Sequence, residues 1–163
     1  NKTPTKLINA RGETIFDKPV WRQLVKMSRC LVPADGFYEW KKTVFGTKIQ
    51  KLPFYIHPRE MDLFSFAGVC KTSYSQGFET SKTYSIITTE PNKEMSDIHN
   101  RMPVILSPET ESLWLDPYTE TLTDLCHLFK SAPTDLLEVR PVSTMVNSPQ
   151  NDTPEVLHRA QLL

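Results

Sequence analysis

Gly36-Phe37-Tyr38-Glu39-Trp40 follows a short apolar run, Cys30-Leu31-Val32-Pro33, through Ala34-Asp35, and sets one carboxylate among three aromatic rings. Read as a strand, its two-residue period places Phe37, Glu39 and Lys41 on one face and Tyr38 and Trp40 on the other. A carboxylate beside an apolar ring is desolvated. Burial raises its pKa unless a cation or a hydrogen-bond donor answers it, and such a group serves as a proton shuttle. The plainer reading is an edge-strand glutamate with its head in water, and these five residues alone favour it.

Outward from this stretch the chain alternates short strands with short helices. Residues 9–14 read as loop, and Pro19 opens a helix whose Val20, Trp21, Leu24 and Val25 share one apolar face. Residues 30–32 form a brief strand stopped by Pro33, and Ala34-Asp35-Gly36 supplies the turn into the strand at 37–40. A polar, basic connection around Gly46 then leads to a strand at 53–56, which His57-Pro58 ends, so the pair reads as a hairpin with a basic tip. Residues 63–69 form another strand and 73–82 a polar loop. The run 84–89 is the clearest strand, being rich in β-branched and aromatic residues.

A helix is expected at 91–98 with Pro91 in its first turn, then extended chain at 102–106. His99 falls in the joint between them. Ser107-Pro108-Glu109 carries a hydroxyl cap, a first-turn proline and acidic residues at the positive end of a helix dipole. A further helix is expected at 122–129, and a last strand at 136–142, interrupted by Pro141. These elements, with 13 prolines among 163 residues, predict an α+β fold on a mainly antiparallel, curved or barrel-like sheet. The length suits one domain over 1–163.

Lys plus Arg and Asp plus Glu both number 19, so a polyanion would have to be held by a local basic patch rather than by the overall field. Cys30, Cys70 and Cys126 are odd in number and widely spaced, which excludes C-x-x-C pairs and zinc spacing; they read as reduced, mostly buried thiols. No metal or cofactor is expected. The chain carries no signal peptide and no apolar run long enough for a bilayer, so a soluble, intracellular protein without membrane partners is expected.

Two further stretches give Glu39 its weight. Asp97-Ile98-His99-Asn100-Arg101-Met102-Pro103 offers an imidazole that titrates near neutrality and a guanidinium fork suited to phosphate. Asn9-Ala10-Arg11-Gly12-Glu13-Thr14 offers an amide and another arginine. A lone histidine is more often structural than catalytic, and a loop asparagine usually bonds its own backbone.

Their combination and order resembles the SRAP family of abasic-site processing proteins, over nearly the whole chain. The stretch from Pro141-Val142-Ser143 through Asn151-Asp152-Thr153-Pro154-Glu155 is similar to its eukaryotic branch most of all. The resemblance implies a protein that recognises abasic sites in single-stranded DNA and links to them covalently, with lyase and self-processing activities, as a monomer, nuclear in a eukaryote. Its nucleophile would be an N-terminal cysteine whose amine and thiol close a thiazolidine on the sugar aldehyde. By motif position, Asn9 would hold the reacting centre, Glu39 would be the acid/base carboxylate, and His99 would protonate the sugar oxygen. Arg11 and Arg101 would meet DNA phosphate. Trp40 is a further DNA-binding candidate from its own aromatic ring, as a platform for a base. An α-amine with a pKa near ~8 is nucleophilic at physiological pH without a strong base.

The chain starts at Asn1-Lys2 without a Met-Cys-Gly start, so the family's nucleophile and its first strands are expected to lie outside it. Two other readings compete. One is a cysteine peptidase that pairs an N-terminal thiol with His99. The other is a single-strand DNA module without chemistry, using Trp40 or Phe37 with Lys41, Lys42, Lys48 and Lys51; a solvated hairpin tip explains those lysines somewhat better than a DNA contact does.

Overall fold

The structure, a computed structural model, describes residues 7–119 and 122–160. In chain order its elements are β1 (Asn9–Arg11), α1 (Pro19–Met27), β2 (Arg29–Ala34), β3 (Phe37–Phe45), β4 (Lys48–Pro58), β5 (Phe64–Ser75), β6 (Phe78–Thr89), α2 (Lys93–Ser96), β7 (Met102–Pro103), β8 (Ile105–Leu106), α3 (Pro108–Leu115), α4 (Leu122–Cys126) and β9 (Leu137–Pro141). Short 3-10 turns join several of them. The α+β expectation holds, with one mixed sheet and one antiparallel sheet, and neither closes on itself among the described residues.

The chain divides into two compact units. The first comprises Asn1–Pro33, Ser65–Glu90 and Met102–Ser131. Its sheet has the order β1-β6-β5-β2, with β7 on β6 and β8 on β5. Every pairing with a stated direction is antiparallel except β1, which runs parallel to β6. Residues 9–11 are thus strand rather than loop, since three residues are too few to carry a readable period. Pro33 does not stop β2 either: this strand lies at the end of the sheet order, where a residue without an N–H is tolerated.

Trp114 anchors the core of this unit. It is wholly buried with Ile15, Trp21, Val25, Ala67, Val69 and Ile87, and its indole N–H donates to the Cys30 carbonyl at 3.0 Å. Arg29 lies 5.7 Å from the Trp114 ring centroid, and its guanidinium donates to the carbonyls of Val25, Trp114 and Asp116. One fork therefore satisfies orphan carbonyls at the ends of both α1 and α3. At its start α3 is held by a reciprocal cap, in which Ser107 accepts from the Thr110 N–H and Thr110 accepts from the Ser107 N–H.

The second unit comprises Ala34–Phe64, Pro91–Arg101 and Ala132–Leu163, with β4 between β3 and β9 in an antiparallel sheet. Residues 41–51 are not a loop: β3 and β4 stay paired to Phe45 and Lys48 and are joined by Gly46-Thr47 alone. In the first unit, likewise, 73–82 forms paired strand around a Gln76-Gly77 turn in which both φ angles are positive, at 51° and 83°. Glycine makes that second position cheap, and the geometry suits the right-handed twist of a hairpin. Both arms are largely exposed on both faces, so they lack the apolar alternation that announces a strand. The helices at 91–98 and 122–129 shrink to α2 and α4. Asn92, not Pro91, begins α2, its side chain accepting from the Met95 N–H at 3.0 Å.

Trp114→Ala is expected to cost about 3–5 kcal/mol of stability, because it leaves a large cavity and strips the Cys30 carbonyl of its donor. Urea unfolding measures this, and a loss below about 1 kcal/mol would mean that Trp114 is not the anchor described.

Candidate functional site

Glu39 and His99 come together within the second unit. Glu39 lies mid-strand in β3 opposite Phe54, and its side chain is 25% exposed. The register sets Phe37, Glu39 and Lys41 with Ile56, Phe54 and Leu52 on one face, while Tyr38 and Trp40 with Tyr55 lie on the other. Gly36 precedes this strand where a Cβ would lie 2.4 Å from the Tyr55 ring, so only glycine lets the chain enter β3 past that ring.

His99 reaches the site from the segment after α2. Its backbone N–H donates to the Met95 carbonyl at 2.9 Å, which ties it to the helix end. That helix is held by buried Asn92, whose amide also donates to the Ala132 carbonyl at 3.2 Å. The His99 Nδ1 lies 3.6 Å from Glu39 Oε1 and 3.2 Å from both the backbone N–H and the carbonyl oxygen of Arg101. With Nδ1 unprotonated, the ring accepts from the Arg101 N–H and presents Nε2–H. With both nitrogens protonated, it faces the Glu39 carboxylate as a cation.

Burial pushes the Glu39 carboxyl above its ordinary pKa, opposed by the charge of His99 and then by a hydrogen bond from the Trp40 backbone N–H. Such a carboxyl holds its proton closer to neutrality than a surface glutamate. The pair thus sets a carboxyl of raised pKa and an imidazole at a distance that a modest approach, or one intervening water or substrate atom, turns into a hydrogen bond.

Arg101 joins this cluster through its backbone. Trp40 does not: it points to the opposite face of β3, where its indole N–H donates to the Asn147 side-chain oxygen at 2.7 Å. Asn9 and Arg11 belong to the first unit, both exposed on one face of β1 with Ala10 buried on the other. Among the described residues no three His, Cys, Asp or Glu side chains converge as metal ligands, and no helix is long and apolar enough to cross a membrane. The sequence reading missed Asn92, which carried a signal, an asparagine ahead of a short acidic helix start; Asn147 stood out only as part of the family-like late stretch, without a role.

Comparison with known proteins adds a family. Residues 1–149 match the family model described as SOS response associated peptidase, SRAP. The abasic site processing protein YoaM of Bacillus subtilis is 46% identical over 153 residues, covering 93% of this chain and 66% of that protein. The abasic site processing protein HMCES of Gallus gallus is 35% identical over 178 residues, covering 96% of this chain and 51% of that protein. The chain therefore spans about half to two thirds of these relatives. Identity to the bacterial relative exceeds that to the vertebrate one, so the late stretch's likeness to the eukaryotic branch does not extend to the chain as a whole. A crystal structure of a Bacteroides thetaiotaomicron protein superposes with a TM-score of 0.81 at 33% identity, covering 94% of this chain and 66% of that one.

The raised carboxyl predicts a pH signature. A folded-state pKa above the unfolded value means that the native state binds more protons between the two, so stability falls as pH rises through that window. Glu39→Gln removes this penalty. The variant is expected to melt at or above the parent at neutral pH, with the advantage shrinking as pH drops below the ordinary glutamate value of about 4.3. Melting curves across that range check it, and parallel curves would show that Glu39 is not desolvated.

Proposed function

The chain belongs to the SRAP family, and from that premise we propose that it processes abasic sites in single-stranded DNA by covalent capture of the sugar aldehyde. The observation that carries this reading is the Glu39–His99 pair, 3.6 Å apart, on a strand and a helix end far apart in sequence. The relatives named above as abasic site processing proteins support the substrate class.

The capture needs protons moved at three atoms. An abasic sugar rests mainly as a ring-closed hemiacetal, and opening it puts a proton on the ring oxygen while the C1 hydroxyl gives its own proton to water as the carbonyl forms; His99, with its Nε2–H directed away from Arg101, supplies the ring-oxygen proton. Attack by an amine on the freed aldehyde gives a carbinolamine, whose hydroxyl leaves as water only when protonated, and Glu39 holds the proton for that step. The resulting imine accepts a thiol from the same residue, its nitrogen taking up the thiol proton, and a thiazolidine closes. The amine and thiol belong to an N-terminal cysteine on a leading segment of the family's type, and Cys30, Cys70 and Cys126 take no part. Asn9 orients the reacting centre, while Arg11 and Arg101 take phosphates. Trp40, facing away from Glu39, serves only to stack a base outside the reaction centre. Lyase and self-processing activities use the same acid/base pair.

The test uses the chain preceded by a family-like segment with a free N-terminal cysteine, mixed with an abasic single-stranded oligonucleotide and run on a denaturing gel. A heat-stable adduct is expected with abasic but not intact DNA, and unrelated peptides should stay uncut. His99→Ala and Glu39→Gln are each expected to slow adduct formation by about tenfold to ten-thousandfold while binding to the oligonucleotide holds. Equal loss of binding and rate would make His99 structural, and peptide cleavage without an adduct would favour the peptidase reading.

A further inference from the structure

Cys30 and Cys70, which the chemistry above leaves unused, lie on neighbouring strands of the first unit, β2 and β5. The Cys70 N–H donates to the Ser28 carbonyl at 2.8 Å, and a Cβ built on Gly68 would come within 3.0 Å of the Cys30 sulfur. Cys30 therefore stands across from Gly68, and Gly68 and Cys70, two apart in one strand, share a face. The missing side chain at Gly68 leaves the space through which the Cys30 thiol turns toward Cys70, whose charge and side chain act on it. Cys30 is fixed from behind, since its carbonyl accepts from Trp114 and its neighbour Arg29 is held by three backbone oxygens.

We propose that Cys30 and Cys70 form an oxidisable dithiol, converted by a peroxide to a reversible intramolecular disulfide. Both thiols are half-buried, which admits a small oxidant, whereas Cys126 is exposed without a thiol partner among the described cysteines. Burial, and then Cys70, push the Cys30 thiol up to about 11, so Cys30 stays protonated and the first oxidation falls on Cys70. The Cys70 thiol gives up its proton, and the thiolate attacks one peroxide oxygen. The O–O bond breaks, hydroxide leaves and takes up that proton, and Cys70 becomes a sulfenic acid. The Cys30 sulfur then attacks the Cys70 sulfur, its proton leaving with the sulfenic hydroxyl as water. Two thiols lose two electrons, and one peroxide becomes two waters. Diagonal neighbours in an antiparallel pair lie about 7–8 Å apart, against about 4.4–6.8 Å between the Cα atoms of a disulfide, so the strands must draw together. A bond made under that demand is readily reduced again.

Peptide mapping tests this. The 163-residue chain is treated with hydrogen peroxide at neutral pH, alkylated, digested and weighed by mass spectrometry. The expected result is the loss of two of the three alkylatable thiols, recovered as one Cys30–Cys70 linked peptide that dithiothreitol splits. In Cys30→Ser, the Cys70 sulfenic acid has no partner and is expected to be captured by dimedone, which labels the parent little. Cys70 oxidised to sulfinic acid in the parent while Cys30 remains alkylatable would overturn the proposal. So would a disulfide formed only between molecules through Cys126, or equal dimedone labelling of parent and variant.

Discussion

A carboxylate half withdrawn from water beside an imidazole is the constraint from which the second unit is best understood. Desolvation favours the neutral acid and outweighs the opposing charge of His99 3.6 Å away, so the Glu39 carboxyl stays above its ordinary pKa. Such a balance is useful only if the distance holds, and three separate devices hold it. The β3–β4 register fixes the face on which Glu39 stands, Gly36 lets the chain pass the Tyr55 ring at the strand entrance, and buried Asn92 pins the helix from which His99 hangs. None of these groups titrates in the working range. The frame is built from neutral hydrogen bonds and sterics, which leaves the electrostatics to the pair itself.

The first unit solves a different problem with a single cation. Helix ends expose carbonyls that water cannot easily reach once the helix is packed, and Arg29 answers the ends of α1 and α3 together while lying over Trp114. A lysine would carry the same charge without the planar fork, and would leave some of those oxygens unmet. Burial lowers the Arg29 pKa, and the charge of Asp116 works against that.

How much of this was legible depended on whether a residue's neighbours differ in polarity. The face assignment within 37–41 was readable from alternation alone, and it correctly separated Glu39 from Trp40. The start of α3 was readable from Ser107-Pro108-Glu109. The outer halves of both long hairpins were not, because Thr43, Lys48, Gln50, Ser73 and Lys82 belong to strands whose two sides both meet solvent. A strand held only by its ladder leaves no hydrophobic trace. The approach of His99 to Glu39 was legible only as two motifs of one family pattern, since no local rule links positions so distant in sequence; the Cys30–Cys70 approach left no trace, because it depends on which strands become neighbours.

The two-residue turns also bear on the order in which the chain assembles. Gly46-Thr47 and Gln76-Gly77 bring long stretches of ladder together at almost no loop-closure entropy, and isolated hairpins zip on a timescale of about 1–10 μs. The pairings of β9 with β4 and of β1 with β6 instead close loops of many tens of residues. Contact order therefore separates the chain into fast local scaffolds and slow closing strands. Glu39 rides on the fast part, while His99 waits for a segment tethered through Asn92 to Ala132, so the chemistry-bearing pair is completed only when late contacts arrive.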